Sequence, residues 1–196
     1  MRLYLASSGV GDHPERLIGL LRGGRRAAVI ANALDRSPGF RGAALREELD
    51  GLERLGLEAC ELDLRRDPVP ECDLIWASGG NVFELRHALA TSGADEAIAG
   101  LLRADRVVYG GNSAGACVLA PSLRGLEIAD EPGARPRFDG LGLIDFAIVP
   151  HCSAPGLPGI PECDRLAARY RAEGVAHRAL HDGQAIVVDG AAVELL

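Results

Sequence analysis

The sequence predicts an α/β fold, a three-layer α/β/α sandwich with a mostly parallel sheet and a C-terminal antiparallel hairpin. Short apolar runs typical of buried strands alternate along the chain with longer segments in which apolar residues have helical spacing. Near the C-terminus, two apolar runs flank Asp189-Gly190, a dipeptide that favours a tight β-hairpin. The 196 residues, 47% of them apolar, are enough to build one core, so we expect residues 1–196 to form a single domain.

The first half of the chain alternates predicted strands with predicted helices. The strands are short and apolar, at residues 2–6, 27–31, 57–62 and 73–77. The first helix has Pro14 in its first turn and ends at Gly23. The second helix begins at Ser37-Pro38 and ends at Gly56. Two further helices are predicted at residues 82–90 and 95–102.

The second half begins with a strand predicted at residues 106–109. A glycine-rich segment at residues 110–116 comes next. The remaining predicted elements are a strand at 143–149, a helix at 161–173, and two hairpin strands at 185–188 and 191–195. The hairpin supplies the antiparallel part of the predicted sheet.

The charge pattern disfavours a nucleic-acid partner. The net charge is −7, and no pair of arginines extends into a basic stripe that could bind a phosphate backbone. All 21 basic residues are arginine, which excludes Schiff bases, pyridoxal phosphate attachment, Ser-Lys dyads and the P-loop, because each needs a lysine. No apolar run approaches the roughly 18 residues of a membrane span, and the N-terminus does not resemble a signal peptide. We therefore expect a cytoplasmic protein with neither a nucleic-acid nor a membrane partner.

The cysteines predict neither a metal site nor a disulfide framework. Their number is odd and no pair forms a C-x-x-C motif. They are Cys60, Cys72, Cys117, Cys152 and Cys163. Reduced and mostly buried thiols are expected instead, and no cofactor is predicted.

Residues 111–115 have the sequence Gly-Asn-Ser-Ala-Gly, which matches the G-x-S-x-G pattern. An apolar strand precedes them and a segment rich in alanine, valine and leucine follows, which is the strand–turn–helix context of a nucleophile elbow. In such a turn the hydroxyl of Ser113 is exposed above the sheet, and the N–H of Ala114 points to the same place from a helix N-terminus. The alternative is a serine that caps a helix in a glycine-rich, anion-binding turn.

Two other segments follow predicted strands at the edge where open α/β sheets bind ligands. Gly79-Gly80-Asn81 can turn sharply, leave backbone N–H groups facing a ligand, and cap the next helix through Asn81. A tight turn with a cap is the structural alternative for this segment. His151 follows a later apolar run and can take the proton of Ser113 as a general base. The alternative for His151 is a hydrogen-bonded structural histidine.

A serine–histidine pair needs a carboxylate to orient the imidazole and to stabilise its charged form. The acidic residues between Ser113 and His151 are Glu127, Asp130, Glu131, Asp139 and Asp145. Glu127 and Asp130 lie in a stretch that we expect to be extended, and the sequence alone does not choose between them. The order serine, acid, histidine is that of an α/β-hydrolase, but a separation of 38 residues (151 minus 113) is too short for that fold.

Together, the three segments resemble the peptidase E (aspartyl dipeptidase) and cyanophycinase family of serine peptidases. The resemblance rests on residues 79–85, on residues 113–116 and on Pro150-His151, and it covers residues 73–151. It implies a fold like that of the class I glutamine amidotransferases and a single serine peptidase domain.

The resemblance also implies a role for each of these positions. Ser113 is similar to the family nucleophile and His151 to its general base. By position the triad acid is Glu127, one residue short of the aspartate of peptidase E, with Asp130 as the second choice. The other site residues that the resemblance implies are the oxyanion-hole donors Gly80 and Ala114 and the substrate-binding residues Gly79 and Asn81.

Peptidase E cleaves after an N-terminal aspartate, so the resemblance implies a small peptide substrate of that kind. The aspartate needs a cationic partner, and the arginines near the elbow in sequence are Arg124, Arg135 and Arg137. Two alternatives remain open: a hydrolase of another amide, and a non-catalytic module that binds a small anion or has a regulatory role. The 47% apolar content is compatible with a homodimer.

Overall fold

A seven-stranded mixed sheet lies at the centre of the computed structural model, which describes residues 1–134 and 136–196. In chain order the strands are β1 (Arg2–Ala6), β2 (Arg26–Ile30), β3 (Glu58–Glu61), β4 (Leu74–Ala77), β5 (Val108–Asn112), β6 (Ala147–Val149), β7 (His177–Ala179), β8 (Ala185–Asp189) and β9 (Ala192–Leu195). The order across the sheet is β3-β2-β4-β5-β1-β8-β9. The first five of these are parallel, and β8 and β9 are added antiparallel. This confirms the predicted parallel sheet with its C-terminal hairpin.

Helices cover both faces of this sheet. They are α1 (Pro14–Leu21), α2 (Pro38–Arg54), α3 (Val82–Ser92), α4 (Ala94–Arg103), α5 (Ala114–Cys117) and α6 (Pro161–Glu173), with 3-10 turns at Asn32–Leu34 and Leu126–Ile128. Successive residues of a strand point to opposite faces, so Leu3 and Leu5 pack with α3 to α6 while Tyr4 packs with α1 and α2. The sheet and the helices on its two faces form the three predicted α/β/α layers. Among the described residues, no helix is both long enough and apolar enough to cross a membrane.

A second, two-stranded sheet accounts for the largest departure from the predicted elements. The strand predicted at 143–149 is only Ala147–Val149 in the structure, and it pairs in parallel with β7 instead of joining the main sheet. Strand β7 was not predicted, because it has only three residues and is too polar to show a periodic pattern. The pairing matters for the site because it brings the carboxyl ends of β6 and β7 together.

The central strand β5 continues beyond its predicted end at residue 109, through two glycines to Asn112. A Cβ on Gly110 would lie 2.4 Å from a ring atom of Trp76 in the neighbouring strand β4. The glycine is therefore needed for the ring to pack there. Because glycine weakens a strand pattern, the prediction ended too early.

Candidate active site

The candidate active site lies at the carboxyl ends of parallel strands. Gly79 and Gly80 follow β4, and Ser113 follows β5, its hydrogen-bonded neighbour. In parallel sheets the carboxyl ends of neighbouring strands meet at one edge, where ligands bind. His151 follows β6 and Asp182 follows β7, and the pairing of these two strands brings both side chains to the same place.

Ser113 occupies a strained turn between β5 and α5. Its backbone has φ 48° and ψ −114°, which non-glycine residues rarely adopt. The Ser113 N–H donates to the carbonyl oxygen of Ala6 in β1 at 3.1 Å. A Cβ on Gly115 would lie 2.0 Å from the carbonyl oxygen of Ala77, so only glycine fits at that position. Residues 111–115 thus make the tight strand–turn–helix connection that the G-x-S-x-G pattern requires.

His151 lies with its imidazole against the Ser113 hydroxyl. Its Nε2 is 3.1 Å from Oγ of Ser113. Like Ser113, His151 has a positive φ, of 55°, and its backbone N–H donates to Oγ of Ser7 at 2.8 Å. The buried Ser7 therefore holds the histidine in a backbone conformation that costs free energy.

The carboxylate that contacts His151 belongs to Asp182. Its Oδ1 is 2.7 Å from Nδ1 of His151, and the Ser7 hydroxyl donates to the same oxygen at 2.9 Å. Ser113, His151 and Asp182 are therefore joined in one hydrogen-bonded chain. Asp182 was not among the predicted triad acids, because those were the acidic residues between Ser113 and His151 and Asp182 follows the histidine. The position of Asp182 just after β7 was the available signal, and it depended on predicting that strand.

Glu127, the expected triad acid, does not occupy this place. It is exposed, and its Oε2 accepts a hydrogen bond from the N–H of Gly125 at 2.6 Å. Among the described residues it forms no hydrogen bond with His151. The stretch expected to be extended contains the 3-10 turn Leu126–Ile128, and the Glu127 carboxylate bonds to the residue that precedes this turn, Gly125. The expectation that Glu127 orients the imidazole is therefore corrected, because Asp182 is the residue at Nδ1.

Asp130, the second choice, is half-buried beside the site rather than bonded to the imidazole. Its Oδ2 accepts the N–H of Val82, the first residue of α3, at 2.8 Å. Burial raises the pKa of Asp130, and the hydrogen bond from Val82 offsets this only in part. Asp130 lines the same cavity as Ser113 and His151.

The two glycines after β4 lie close to the Ser113 turn. A Cβ on Gly79 would lie 3.3 Å from Cβ of Ser113. Gly80 has φ 137°, which side-chain-bearing residues rarely adopt, and a Cβ there would lie 2.7 Å from the carbonyl oxygen of Ala33. Both the backbone conformation and the lack of space therefore require glycine. Within the described part of the chain, the N–H groups of Gly80 and Ala114 donate to no protein acceptor.

Asn81 uses its side chain to cap α3. Its Oδ1 accepts the N–H groups of Phe83 and Glu84, both at 3.0 Å, and its Nδ2 donates to the carbonyl oxygen of Glu131 at 2.9 Å. These bonds satisfy the N-terminus of the helix. The side chain is occupied by the capping role that was the structural alternative for this segment.

A carboxylate on the opposite face of the sheet supports the Ser113 turn. Glu48 of α2 accepts hydrogen bonds from Nδ2 of Asn112 and Nε1 of Trp76, both at 2.8 Å. Burial raises the pKa of Glu48 even though both bonds act to lower it. Asn112 immediately precedes Ser113, so this contact ties the turn to α2. Glu48 was not predicted as a site residue, because nothing in the sequence distinguishes it from the other polar residues of a helix.

A cavity of about 310 Å³ lies beside Ser113 and His151. Most of its wall is apolar, formed by Val82, Leu126, Ile160 and Leu166 among others. The charged groups on this wall are carboxylates, from Asp130 and Glu162. Glu162 pairs with Arg165, with 2.5 Å between Oε1 and the guanidinium.

Two of the arginines considered for a substrate carboxylate, Arg124 and Arg137, lie elsewhere. The Arg124 guanidinium stacks over the ring of Phe138, 4.8 Å from its centroid, and Arg137 pairs with Asp139 at 3.3 Å. Neither of these arginines lines the cavity beside Ser113. Arg135 lies outside the described residues.

The cysteines near the site are thiols rather than thiolates. Cys117 and Cys163 line the cavity. Burial raises the pKa of Cys163 to about 11 and also raises the pKa of Cys117 well above its ordinary value. A protonated thiol is a poor nucleophile, which leaves Ser113 as the stronger candidate. Over residues 1–134 and 136–196, no three His, Cys, Asp or Glu side chains are grouped so that they could hold a metal ion.

Comparison with known proteins identifies relatives of this chain. Residues 40–196 match peptidase family S51. Peptidase E of Streptomyces coelicolor is 34% identical over 148 residues, which cover 72% of this chain and 57% of that protein. An uncharacterized peptidase of Listeria innocua is 34% identical over 110 residues, 51% of this chain and 52% of that protein. The chain thus spans about half the length of the curated relatives it matches.

Solved structures share the fold. A provisionally assigned peptidase E protein from Listeria monocytogenes EGD-e superposes with a TM-score of 0.81 at 24% identity, covering 100% of this chain and 97% of that one. A peptidase from an acI-B1 Actinobacterium superposes with a TM-score of 0.71 at 18% identity, covering 100% and 86%. At these identities the structures establish the architecture, while the sequence match over residues 40–196 establishes the family. The chain belongs to peptidase family S51.

Proposed function

We propose that the chain is a serine peptidase in which Ser113 is the nucleophile, His151 the general base and Asp182 the carboxylate that orients it. The hydrogen-bonded chain of the three side chains, with 3.1 Å from Oγ to Nε2 and 2.7 Å from Nδ1 to Oδ1, carries this proposal. These are the contacts by which a serine–histidine–carboxylate triad works. Membership of family S51 supports the same reaction class.

Each contact has a consequence for proton transfer. Because Oδ1 of Asp182 accepts from Nδ1, the imidazole carries its proton there and presents the Nε2 lone pair to Ser113. When Nε2 takes the serine proton, the imidazolium that forms is stabilised by the adjacent carboxylate. Asp182 thus sets the tautomer before the reaction and offsets charge during it.

The reaction proposed is acyl transfer to water in two steps. Oγ of Ser113 bonds to the peptide carbonyl carbon as its proton passes to Nε2 of His151. His151 then gives that proton to the leaving amine as the peptide bond breaks, which leaves an acyl ester on Ser113. A water molecule, deprotonated by His151, attacks the ester and restores the serine.

The oxyanion that develops on the carbonyl oxygen needs hydrogen-bond donors. We assign this role to the N–H groups of Gly80 and Ala114, since neither donates to a protein acceptor among the described residues. Both flank Ser113, one from the adjacent loop and one from the start of α5. Loss of one such donor in comparable sites slows turnover by roughly 10² to 10³.

The substrate proposed is a short peptide cleaved after its N-terminal residue. The cavity beside Ser113, of about 310 Å³, has room for one amino-acid residue. The resemblance to peptidase E implies aspartate at that position, which needs a cationic partner. The cavity wall, among the described residues, presents Asp130 and Glu162 but no arginine.

The proposal is tested by labelling with a serine-directed fluorophosphonate, followed by peptide mapping and a dipeptide hydrolysis assay. The wild type is expected to carry the adduct on Ser113 and to cleave dipeptides. Ser113→Ala is expected to do neither. Ser37→Ala, which removes an exposed serine that does not line the cavity, is the matched control and should behave as the wild type.

Two results would overturn the proposal. One is a folded wild type that neither reacts with the fluorophosphonate nor cleaves any peptide, which would favour the anion-binding module. The other is hydrolysis that survives in Ser113→Ala, which would remove the nucleophile assignment.

A further inference from the structure

We propose that the cavity beside Ser113 binds the N-terminal residue of its substrate as a free ammonium group with an uncharged, apolar side chain, and that Asp130 accepts the hydrogen bond from the ammonium. This inference rests on the proposed function. It assigns a specificity opposite in charge to the N-terminal aspartate that the resemblance implies.

The walls of the cavity favour an apolar side chain. Val82, Leu126, Ile160 and Leu166 lie around it, and most of the exposed wall surface is carbon. Burying an apolar side chain against such a wall is favourable because apolar surface is removed from water. A charged side chain would lose its hydration there without a compensating partner.

Asp130 has an unused hydrogen-bonding oxygen at this cavity. Its Oδ2 is held by the N–H of Val82 at 2.8 Å, while Oδ1 bonds to no group in the described part of the chain. The start of α3, an eleven-residue helix, stabilises the negative charge there. Asp130 forms no ion pair with any described residue, so an incoming ammonium would supply the counter-charge that the protein does not.

Asp130 and Ser113 line one cavity, so a ligand bound at Ser113 shares that space with the Asp130 carboxylate. In a peptide the ammonium is separated from the first carbonyl carbon by one Cα, so a carbonyl at Ser113 places the ammonium in the same cavity. Glu162, the other carboxylate on the wall, is already paired with Arg165. Asp130 is therefore the group available to recognise the amine.

An aspartate side chain in this cavity would meet like charge. Its carboxylate would share the space with that of Asp130, which has no ion-pair partner among the described residues, and the guanidinium groups of Arg124 and Arg137 are engaged with Phe138 and Asp139 outside it. Like charges at short range are destabilising in a partly desolvated site. The preference expected is therefore leucine or alanine over aspartate.

The test compares kcat and KM for four substrates that share one leaving group: Leu, Ala, Asp and N-acetyl-Leu para-nitroanilides. The enzymes are the wild type, Asp130→Asn and, as a matched carboxylate-to-amide control, Glu96→Gln, whose side chain is exposed on α4. Asp130→Asn retains an oxygen for the Val82 N–H, so the start of α3 stays capped. Fluorophosphonate labelling of each variant reports the reactivity of Ser113 without any peptide.

The wild type is expected to prefer Leu over Asp by at least about tenfold in kcat/KM and to lose about tenfold to a hundredfold on N-acetylation, since a hydrogen bond to a charged group contributes on that order. Asp130→Asn should raise KM for the free-amine substrates by a similar factor, with little change in kcat. It should also nearly abolish the penalty of N-acetylation. Glu96→Gln should match the wild type.

The outcomes separate this inference from the proposed function. A wild type that labels at Ser113 but prefers the Asp substrate would overturn the inference and leave the peptidase proposal standing. So would an Asp130→Asn variant that labels normally and still discriminates against N-acetyl-Leu. A protein that does not label at all would overturn the proposed function itself.

Discussion

Two carboxylates beside His151 come from different parts of the chain and have different surroundings. Asp182, in the turn after β7, has about half of its side chain exposed (49%) and bonds directly to the imidazole and to Ser7. Asp130 is more buried than Asp182. Its carboxylate accepts a hydrogen bond from the N–H of Val82, and burial raises its pKa. Contact with the imidazole, and not burial, therefore indicates which acid orients the base. Asp130, the more buried acid, is the one that we propose binds the ligand.

Of the substitutions considered for the two carboxylates and their neighbours, the largest loss of kcat is expected at Asp182. Asp182→Asn is expected to lower kcat by about 10³- to 10⁴-fold, because an amide at Nδ1 favours the wrong imidazole tautomer. Steady-state rates on a cleaved dipeptide measure this, with Asp182→Glu as the variant that keeps the charge and restores part of the rate. A loss of less than tenfold in Asp182→Asn would show that another group orients His151.

A smaller effect is expected at Ser7, which forms hydrogen bonds with both His151 and Asp182. Ser7→Ala removes the hydroxyl that donates to Asp182 and accepts the backbone N–H of His151. We expect kcat to fall by roughly tenfold or more, as one bond to a charged group contributes ~1.5–3 kcal/mol, while KM changes little. Ser8→Ala, at the exposed neighbouring position, is the control. Equal losses in both variants would point to a general structural defect.

The raised pKa of Asp130 predicts a pH dependence of binding. As pH falls through this pKa, the carboxylate gains a proton and loses the charge that attracts an ammonium. KM for substrates with a free N-terminus is therefore expected to rise by about tenfold on the acid side and to level off above the pKa. In Asp130→Asn the KM should be high and independent of pH in this range. A wild-type KM that stays constant on acidification would count against a role for Asp130.

The smallest effect is expected at Glu127. Glu127→Gln keeps an oxygen for the Gly125 N–H, and the side chain is exposed away from the hydrogen-bonded chain. We expect kcat within about threefold of the wild type, as for an ordinary surface substitution. A loss of kcat comparable to that of Asp182→Asn would show that Glu127 takes part in catalysis, contrary to its assignment as an ordinary surface residue.

The fold was largely predictable because its signals are local. The alternation of apolar strands and helices, the Asp189-Gly190 turn and the helix at Pro161–Glu173 all appear in the structure. The departures occur where local signals are weak. Gly110 interrupts the pattern of β5 because the ring of Trp76 needs the space, and β7 is short, so it is stabilised mainly by its pairing with β6.

The candidate site was predictable to a lesser degree. Ser113, His151 and the two glycines at Gly79 and Gly80 are marked by sequence patterns, because a tight turn after a strand restricts which residues fit. No pattern marks Asp182, which lies 31 residues beyond His151 and follows a strand without periodicity. The family resemblance favoured Glu127 by position, but the 3-10 turn directs its carboxylate to the N–H of Gly125 instead.

By itself, the sequence determined the layer architecture, the family resemblance and the nucleophile and base candidates, since each depends on spacing or on residues that neighbour one another in the chain. Only the tertiary structure decided which acid meets the imidazole, that Ser7 bonds to both members of that pair, and that the cavity wall carries carboxylates. These depend on the pairing of β6 with β7 and on the packing of α3 beside residues 126–131. Such contacts join distant segments, and their geometry is set by the packing of the whole chain.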